Sequence, residues 1–166
     1  MKKYFITILF TISILVTFTI SSSAIDENIT EGNIHITSAT EYIPTDDGGH
    51  ITVALVTKNI STKSPIYIKT GDKYVTKYDT DGEIVWRYTL TGTFSVNSGI
   101  SATCADVTYS TTDNSAWWTF SDCSATTRGN KAIGTGTAEH RKLFIIVDEI
   151  VNIDISITCD KNGNLS

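Results

Sequence analysis

Histidine is scarce in this 166-residue chain: His35, His50 and His140 are scattered, with no His-x-x-x-His and no Cys-x-x-Cys beside them. Zinc sites need ligands that converge at short spacing, so no metal centre is expected and no cofactor is implied. No G-x-S-x-G stretch occurs, and a catalytic triad is a matter of geometry rather than of composition. Gly134-x-Gly136 lacks a third glycine, a lysine and a following helical pattern, which excludes a phosphate cradle. "DTDGE" (79–83) and "DKNGN" (160–164) resemble pieces of a calcium loop. With the loop glycine set on Gly82, Lys77 falls at the first ligand position and Tyr88 at the last. With it set on Gly163, Thr158 comes first and the loop runs past the chain end. Both fail the EF-hand pattern and read as turns.

An excess of positive charge is also missing. Without Lys2 and Lys3 the 13 basic residues fall to 11 against 18 acidic ones, a formal charge of −7. Nucleic acid and anionic lipid both call for a cationic stripe that displaces counterions, so neither is an expected partner. Acids such as Glu83 and Asp106 are of the kind that serve glycosidases, but nothing singles them out from solvated surface carboxylates.

What the chain does have begins at its start. Lys2 and Lys3 precede "YFITILFTISILVTFTI" (4–20), which carries no charge, and "SSSA" (21–24) follows. This is the layout of a secretory signal peptide, with cleavage expected after Ala24. No cysteine follows the apolar run to take a lipid, and no second long apolar run closes the chain. A freely secreted, extracellular product of residues 25–166 is expected, of a size that suits one core.

Helical periodicity is almost absent from that product, and alternation with period two is abundant. In "IVWRYTLTGTFSV" (84–96) the even positions are Ile84, Trp86, Tyr88, Leu90, Gly92, Phe94 and Val96, while the odd positions are mostly polar. Such a stretch is a strand with one face on a core. Further strands are expected near 33–38, 51–58, 65–70, 73–79, 99–109, 115–121, 131–139 and 142–159, the last broken at Asp148–Glu149. Turn signals lie between them: "DDGG" (46–49), "TGD" (70–72), "DTDG" (79–82), "NSG" (97–99), "RGN" (128–130) and "KNGN" (161–164). The pattern predicts an all-β protein, a single antiparallel β-sandwich spanning 50–166. Residues 25–49 carry six acids and little apolar pattern, and are expected to form a partly flexible lead-in.

Three cysteines in a secreted chain allow one disulfide and one free thiol. Cys104 shares its phase with Ile100 and Ala102, and Cys159 with Val151, Ile153, Ile155 and Ile157, all on inward rows. Cys123 falls in step with Thr119 and Ser121 on a polar row. Phase therefore favours Cys104–Cys159, a crosslink worth about 4 kcal/mol in the entropic account. It leaves Cys123 as a free thiol or the seam of a dimer. Cys104–Cys123 stays open as the alternative, because spacing alone does not fix connectivity.

In "SAWWTFSDC" neighbouring side chains point to opposite faces. Trp118 joins the inward row of Ala116 and Phe120, Trp86 is inward by the same test, and Trp117 faces outward. An outward tryptophan stacks on a sugar, anchors a protein interface or lies under a loop; Tyr67, Tyr74 and Tyr78 are candidates to extend such a patch. The even row Ala132, Gly134, Gly136 and Ala138 reads as a flat face for a bulky ring. The order Cys104, Trp118, Cys159 is immunoglobulin-like. However, Ile157 stands where a tyrosine corner would be, and only seven residues follow Cys159, so an altered topology is expected.

"KYDTDGEIVWRYTLTGTF", "ATCADVTYS", "SAWWTF", "RGNKAIGTGTA" and "ITCDKNGNLS" resemble a group of small secreted proteins of Gram-positive bacteria that carry a domain without assigned activity. The resemblance covers just over half the chain and implies a fold with no catalytic residue to carry over. It also implies that Cys104 and Cys159 are the recurrent cysteines, and that the position of Trp117 varies. The expected function is non-catalytic binding of a glycan or a protein at or beyond the cell surface. The alternatives are an extracellular polysaccharide hydrolase using surface carboxylates, and a structural dimer linked through Cys123.

Overall fold

A computed structural model describes residues 34–35, 41–58, 64–142 and 146–166. The expected signal peptide and most of the lead-in lie outside the described residues. All regular structure among those described is β. Strands β3 (His50–Lys58), β4 (Ile66–Tyr78), β5 (Ile84–Asn97) and β6 (Ser101–Asp113) pair in that order, each antiparallel to the next. Two short strands, β1 (Ile34–His35) and β2 (Glu41–Pro44), pair with β3 to complete the larger sheet. The smaller sheet is β7 (Trp118–Arg128), β8 (Lys131–Lys142) and β9 (Ile146–Thr158). The two sheets pack as a sandwich. From β3 to β6 and from β7 to β9 each strand lies beside its successor in sequence, so no Greek-key return occurs among the described strands. That is the altered topology.

The core is built on alternation. Trp86, Tyr88, Leu90, Phe94 and Val96 of β5 are fully buried, each large apolar side chain contributing roughly 1.5–3 kcal/mol. Val151, Ile153, Ile155 and Ile157 meet them from β9. Between these rows β8 offers Ala132, Gly134, Gly136 and Ala138, all buried, and the Tyr88 ring lies on the two glycines. Its hydroxyl is shared between the carbonyls of Ser124 and Thr135 at 3.1 and 3.2 Å.

Several expectations need correction. "TGD" is not a turn: residues 66–78 form one strand in which Gly71 opposes both Thr57 and Gly92. The Leu165 side chain fills the space a Cβ at Gly71 would need, so glycine serves close packing there. Residues 146–158 are likewise one strand. The expected break is a bulge at Asp148, since His140 opposes Glu149 and Arg141 opposes Val147. A second bulge, at Ala105, moves the inward row of β6 from Ala102 and Cys104 to Val107, with the exposed Tyr109 ring stacked 5.9 Å from that of Tyr88.

A third bulge changes the reading of Cys123. Ser121 opposes Thr137 and Ser124 opposes Thr135, so Asp122 and Cys123 together face Gly136. Asp122 takes a positive φ of 52°, and the strand's phase inverts beyond it. Cys123 consequently turns toward the core, half-buried beside Gly136, rather than standing on the polar row.

The other expected turns hold glycine at positive φ; in the β7–β8 hairpin it is Gly129, at 61°, a conformation that side chains disfavour. Part of the lead-in is structured: β2 and the turn to Gly49 belong to the larger sheet, so the folded unit begins before His50.

Candidate functional site

The turns 45–49 and 79–83 and the loop 114–117 lie at one end of the sandwich, together with the ends of β8 and β9. Side chains with chemistry collect there. Lys77 is on the inward row of β4 and only 1% exposed. Its Nζ lies 2.9 Å from Asp47 Oδ2 and 3.5 Å from Glu149 Oε1, and donates to Thr45 Oγ1 at 3.2 Å. The Trp118 ring lies 5.4 Å away, over the same ammonium. Partial burial pushes the Asp47 carboxyl upward, but hydrogen bonds from Thr45, Lys77 and Gly49 outweigh it and hold the group at about 2. Glu149 is shifted the other way, because burial exceeds the pull of Lys77.

A second chain of polar contacts borders the first. The His140 ring packs 5.2 Å from that of Trp118, and its Nδ1 is 2.7 Å from Asp148 Oδ1. Lys142 Nζ reaches Asp148 Oδ2 at 2.7 Å. Lys142 holds the Asp148 carboxyl below its ordinary value, aided by His140. Beneath, Trp86 packs 5.8 Å from Trp118 and edge-on to Phe120. Its buried Nε1 has no hydrogen-bond partner among the described residues.

Trp118 is 5% exposed and Trp117 is 42% exposed, so the two point as alternation requires. Trp117 sits just before β7, its carbonyl accepting from the Arg141 amide at 2.8 Å. The three tyrosines do not build one patch with it. Tyr67 donates to the Asn162 carbonyl at the opposite end of the sandwich. Tyr74 lies under the Arg87 guanidinium, 5.3 Å away, on the outer face of the larger sheet. Tyr78 belongs to a stack on that same face, with His50 at 4.7 Å and Tyr42 a further 4.6 Å on.

Cys104 and Cys159 are buried in the same core as Trp118. Their amides donate to the neighbouring carbonyls of Gly129 and Asn130 at 2.8 and 3.0 Å. All three cysteines are free thiols in the structure. Burial drives the Cys159 thiol up to about 11, with Asp160 and Cys104 adding to it. Glu83 and Asp106 are not brought together. Glu83 adjoins Ile84 at the start of β5, whereas Asp106 opposes Thr93, about 30 Å along the strand at the usual rise.

"DTDGE" and "DKNGN" are turns closed by their own aspartates. Asp79 Oδ1 accepts from the amides of Asp81 and Glu83, and Asp160 Oδ1 from those of Asn162 and Asn164. Of His35 only the backbone is described, paired with Thr57. No group of three or more His, Cys, Asp or Glu converges as a metal site among the described residues.

The Lys77 cluster escapes a sequence reading because Asp47 and Glu149 are remote from Lys77 in the chain. The one available signal is that Lys77 shares its parity with the inward Val75. No family model matches the chain, and neither a curated protein nor a solved structure matches it.

Proposed function

We propose that this chain is a secreted, non-catalytic β-sandwich of bacterial origin that binds a glycan or a protein at or beyond the cell surface. Cleavage after Ala24 and a Cys104–Cys159 disulfide belong to the same reading, as does a surface too acidic for nucleic acid or anionic membranes. The observation that carries it is the pair Trp117 and Trp118: one ring is locked into the core and the other is open to solvent beside it. An exposed ring on a rigid end presents a large amphipathic contact at small entropic cost. Glycan-array and pull-down measurements test it. Binding that falls at least tenfold in Trp117→Ala supports the reading, and unchanged binding removes Trp117 from it.

A second reading, an extracellular polysaccharide hydrolase, draws on Asp47 and Glu149, whose protonation tendencies are driven apart as acid–base pairs require. Lys77 fills the space between them, where a glycosidic oxygen would have to sit, and that favours the binding reading. Hydrolysis of cell-wall or dietary polysaccharide that disappears in Glu149→Gln would reverse the preference. The dimer reading draws less support, since the Cys123 thiol packs beside Gly136. Electrophoresis with and without reductant tests it.

A further inference from the structure

We propose that the partner of Trp117 is a neutral polysaccharide, laid along the outer face of the smaller sheet from Trp117 to a hollow beside Arg128. This rests on the binding function proposed above and chooses between its two ligand classes.

The path is set by the outer row of β7. Thr119 opposes Glu139 and Ser121 opposes Thr137; beyond the bulge, Ser124 opposes Thr135 and Thr126 opposes Ile133. From Trp117 to Arg128 every side chain of that row is therefore a hydroxyl, over about 30 Å at the usual rise. Thr119, Ser124 and Thr126 are exposed and Ser121 is half-buried. The polar surface continues sideways. Ser124 Oγ and Thr135 Oγ1 lie 2.8 Å apart, and on the next rung Thr137 Oγ1 donates to Asn152 Oδ1 at 3.4 Å. Hydroxyls both donate and accept, which is what the hydroxyls of a sugar chain require at each step.

At the far end the face is concave. A hollow of about 320 Å³ opens beside Arg128, with Lys131 and Asp154 in its walls and Ile133 and Ser156 between them. That volume is within the range of small-ligand sites. An apolar side chain among donors and acceptors suits a sugar ring, whose faces are C–H and whose rim is hydroxyl.

A protein partner fits this face less well. The centre of a protein interface is apolar and depleted of charge. Here Arg141 and Glu139, paired at 2.9 Å, stand on β8 between Trp117 and Thr119 on one side and Val147 and Ile150 on the other, so the ring has no apolar surround on that side. An acidic polysaccharide fits no better. Arg128, Lys131 and Arg141 are matched by Glu139, Asp154 and the exposed Asp122 of the bulge, and a polyanion calls for surplus cations.

The test is affinity electrophoresis of the purified full-length protein in native gels that contain soluble polysaccharides. Xylan, mannan, dextran and mixed-linkage glucan are the neutral probes; polygalacturonate and hyaluronan are the acidic ones. Retardation by at least one neutral polymer is expected, and by the acidic polymers less or not at all. Trp117→Ala should weaken it at least fivefold, and so should Arg128→Ala combined with Asp154→Ala at the other end, each variant remaining folded by circular dichroism. Thr112→Ala, exposed on the larger sheet opposite Arg87, should leave it unchanged. Retardation by no neutral polymer, or by acidic ones more strongly, overturns the proposal and leaves the other ligands of the earlier reading standing. Retardation that needs Trp117 but ignores Arg128 and Asp154 confines the ligand to one end and overturns the path along β7. Retardation that ignores Trp117 overturns the earlier reading and this proposal with it.

Discussion

The Tyr88 hydroxyl lies so close to Gly134 that a Cβ there would stand 2.7 Å from its oxygen. This contact sets how closely β5 and β8 approach. Gly134→Ala is expected to destabilise the fold by about 1–3 kcal/mol, the usual range for overpacking a filled core. Chemical denaturation measures it. Tyr88→Phe removes the offending oxygen, so the double variant should lose less than the two single losses added together. Strict additivity would mean that the ring and the glycine do not share the strain.

Much of this packing was legible in alternation. The β5 run fixed which of its side chains go inside, and the small row of β8 was readable as the seat of a ring. Trp117 and Trp118 followed from the same rule. What was not legible lay at the bulges. Ala105, Cys123 and Asp148 each add one residue to a strand, and an added residue inverts parity while leaving composition unchanged. Parity alone places Cys123 on the polar row for that reason, whereas the bulge turns it toward the core. The Lys77 cluster was hidden by a different cause: its carboxylates come from a turn and from a distant strand, and period-two patterning says nothing of long-range partners.

The two adjacent tryptophans should separate stability from binding. Trp118→Ala empties a site among Trp86, Lys77 and His140 and is expected to cost about 3–5 kcal/mol. Trp117→Ala, at an exposed position, should change stability by less than about 1 kcal/mol while lowering ligand binding under the proposed function. Denaturant midpoints together with glycan or protein binding give both readouts. A large stability loss in Trp117→Ala would show that the ring supports the loop and is not a contact surface.

The proposed Cys104–Cys159 disulfide gives a prediction of its own. The β7–β8 turn binds both cysteine amides through adjacent carbonyls, so β6 at Cys104 and the segment just after β9 at Cys159 are already held to one point. Peptide mapping of the protein without reductant should recover Cys104 joined to Cys159, with Cys123 alkylated. Reduction should lower stability by about 4 kcal/mol in the entropic account. A Cys104–Cys123 peptide would overturn the pairing.

Asp160 should make the C-terminal turn sensitive to acid. Hydrogen bonds from the Asn164 side chain and amide, and from the Asn162 and Gly163 amides, hold its carboxyl below the ordinary 3.8. The turn they close carries Ser166 back to Thr158, where each amide donates to the other's carbonyl, and carries Leu165 onto Gly71. Because the folded state favours the ionised form, the stabilisation is full above the unfolded aspartate value, about 3.9. It is lost as pH falls through the lower folded value. The group is exposed, so screening keeps the effect small and local. Hydrogen-exchange protection of the Thr158 and Ser166 amides reads it. Protection in the wild type should exceed that in Asp160→Ala at neutral pH and converge with it in acid below the ordinary aspartate range, once the carboxyl is protonated. A difference that persists unchanged into acid would mean that the carboxylate charge does not close the turn.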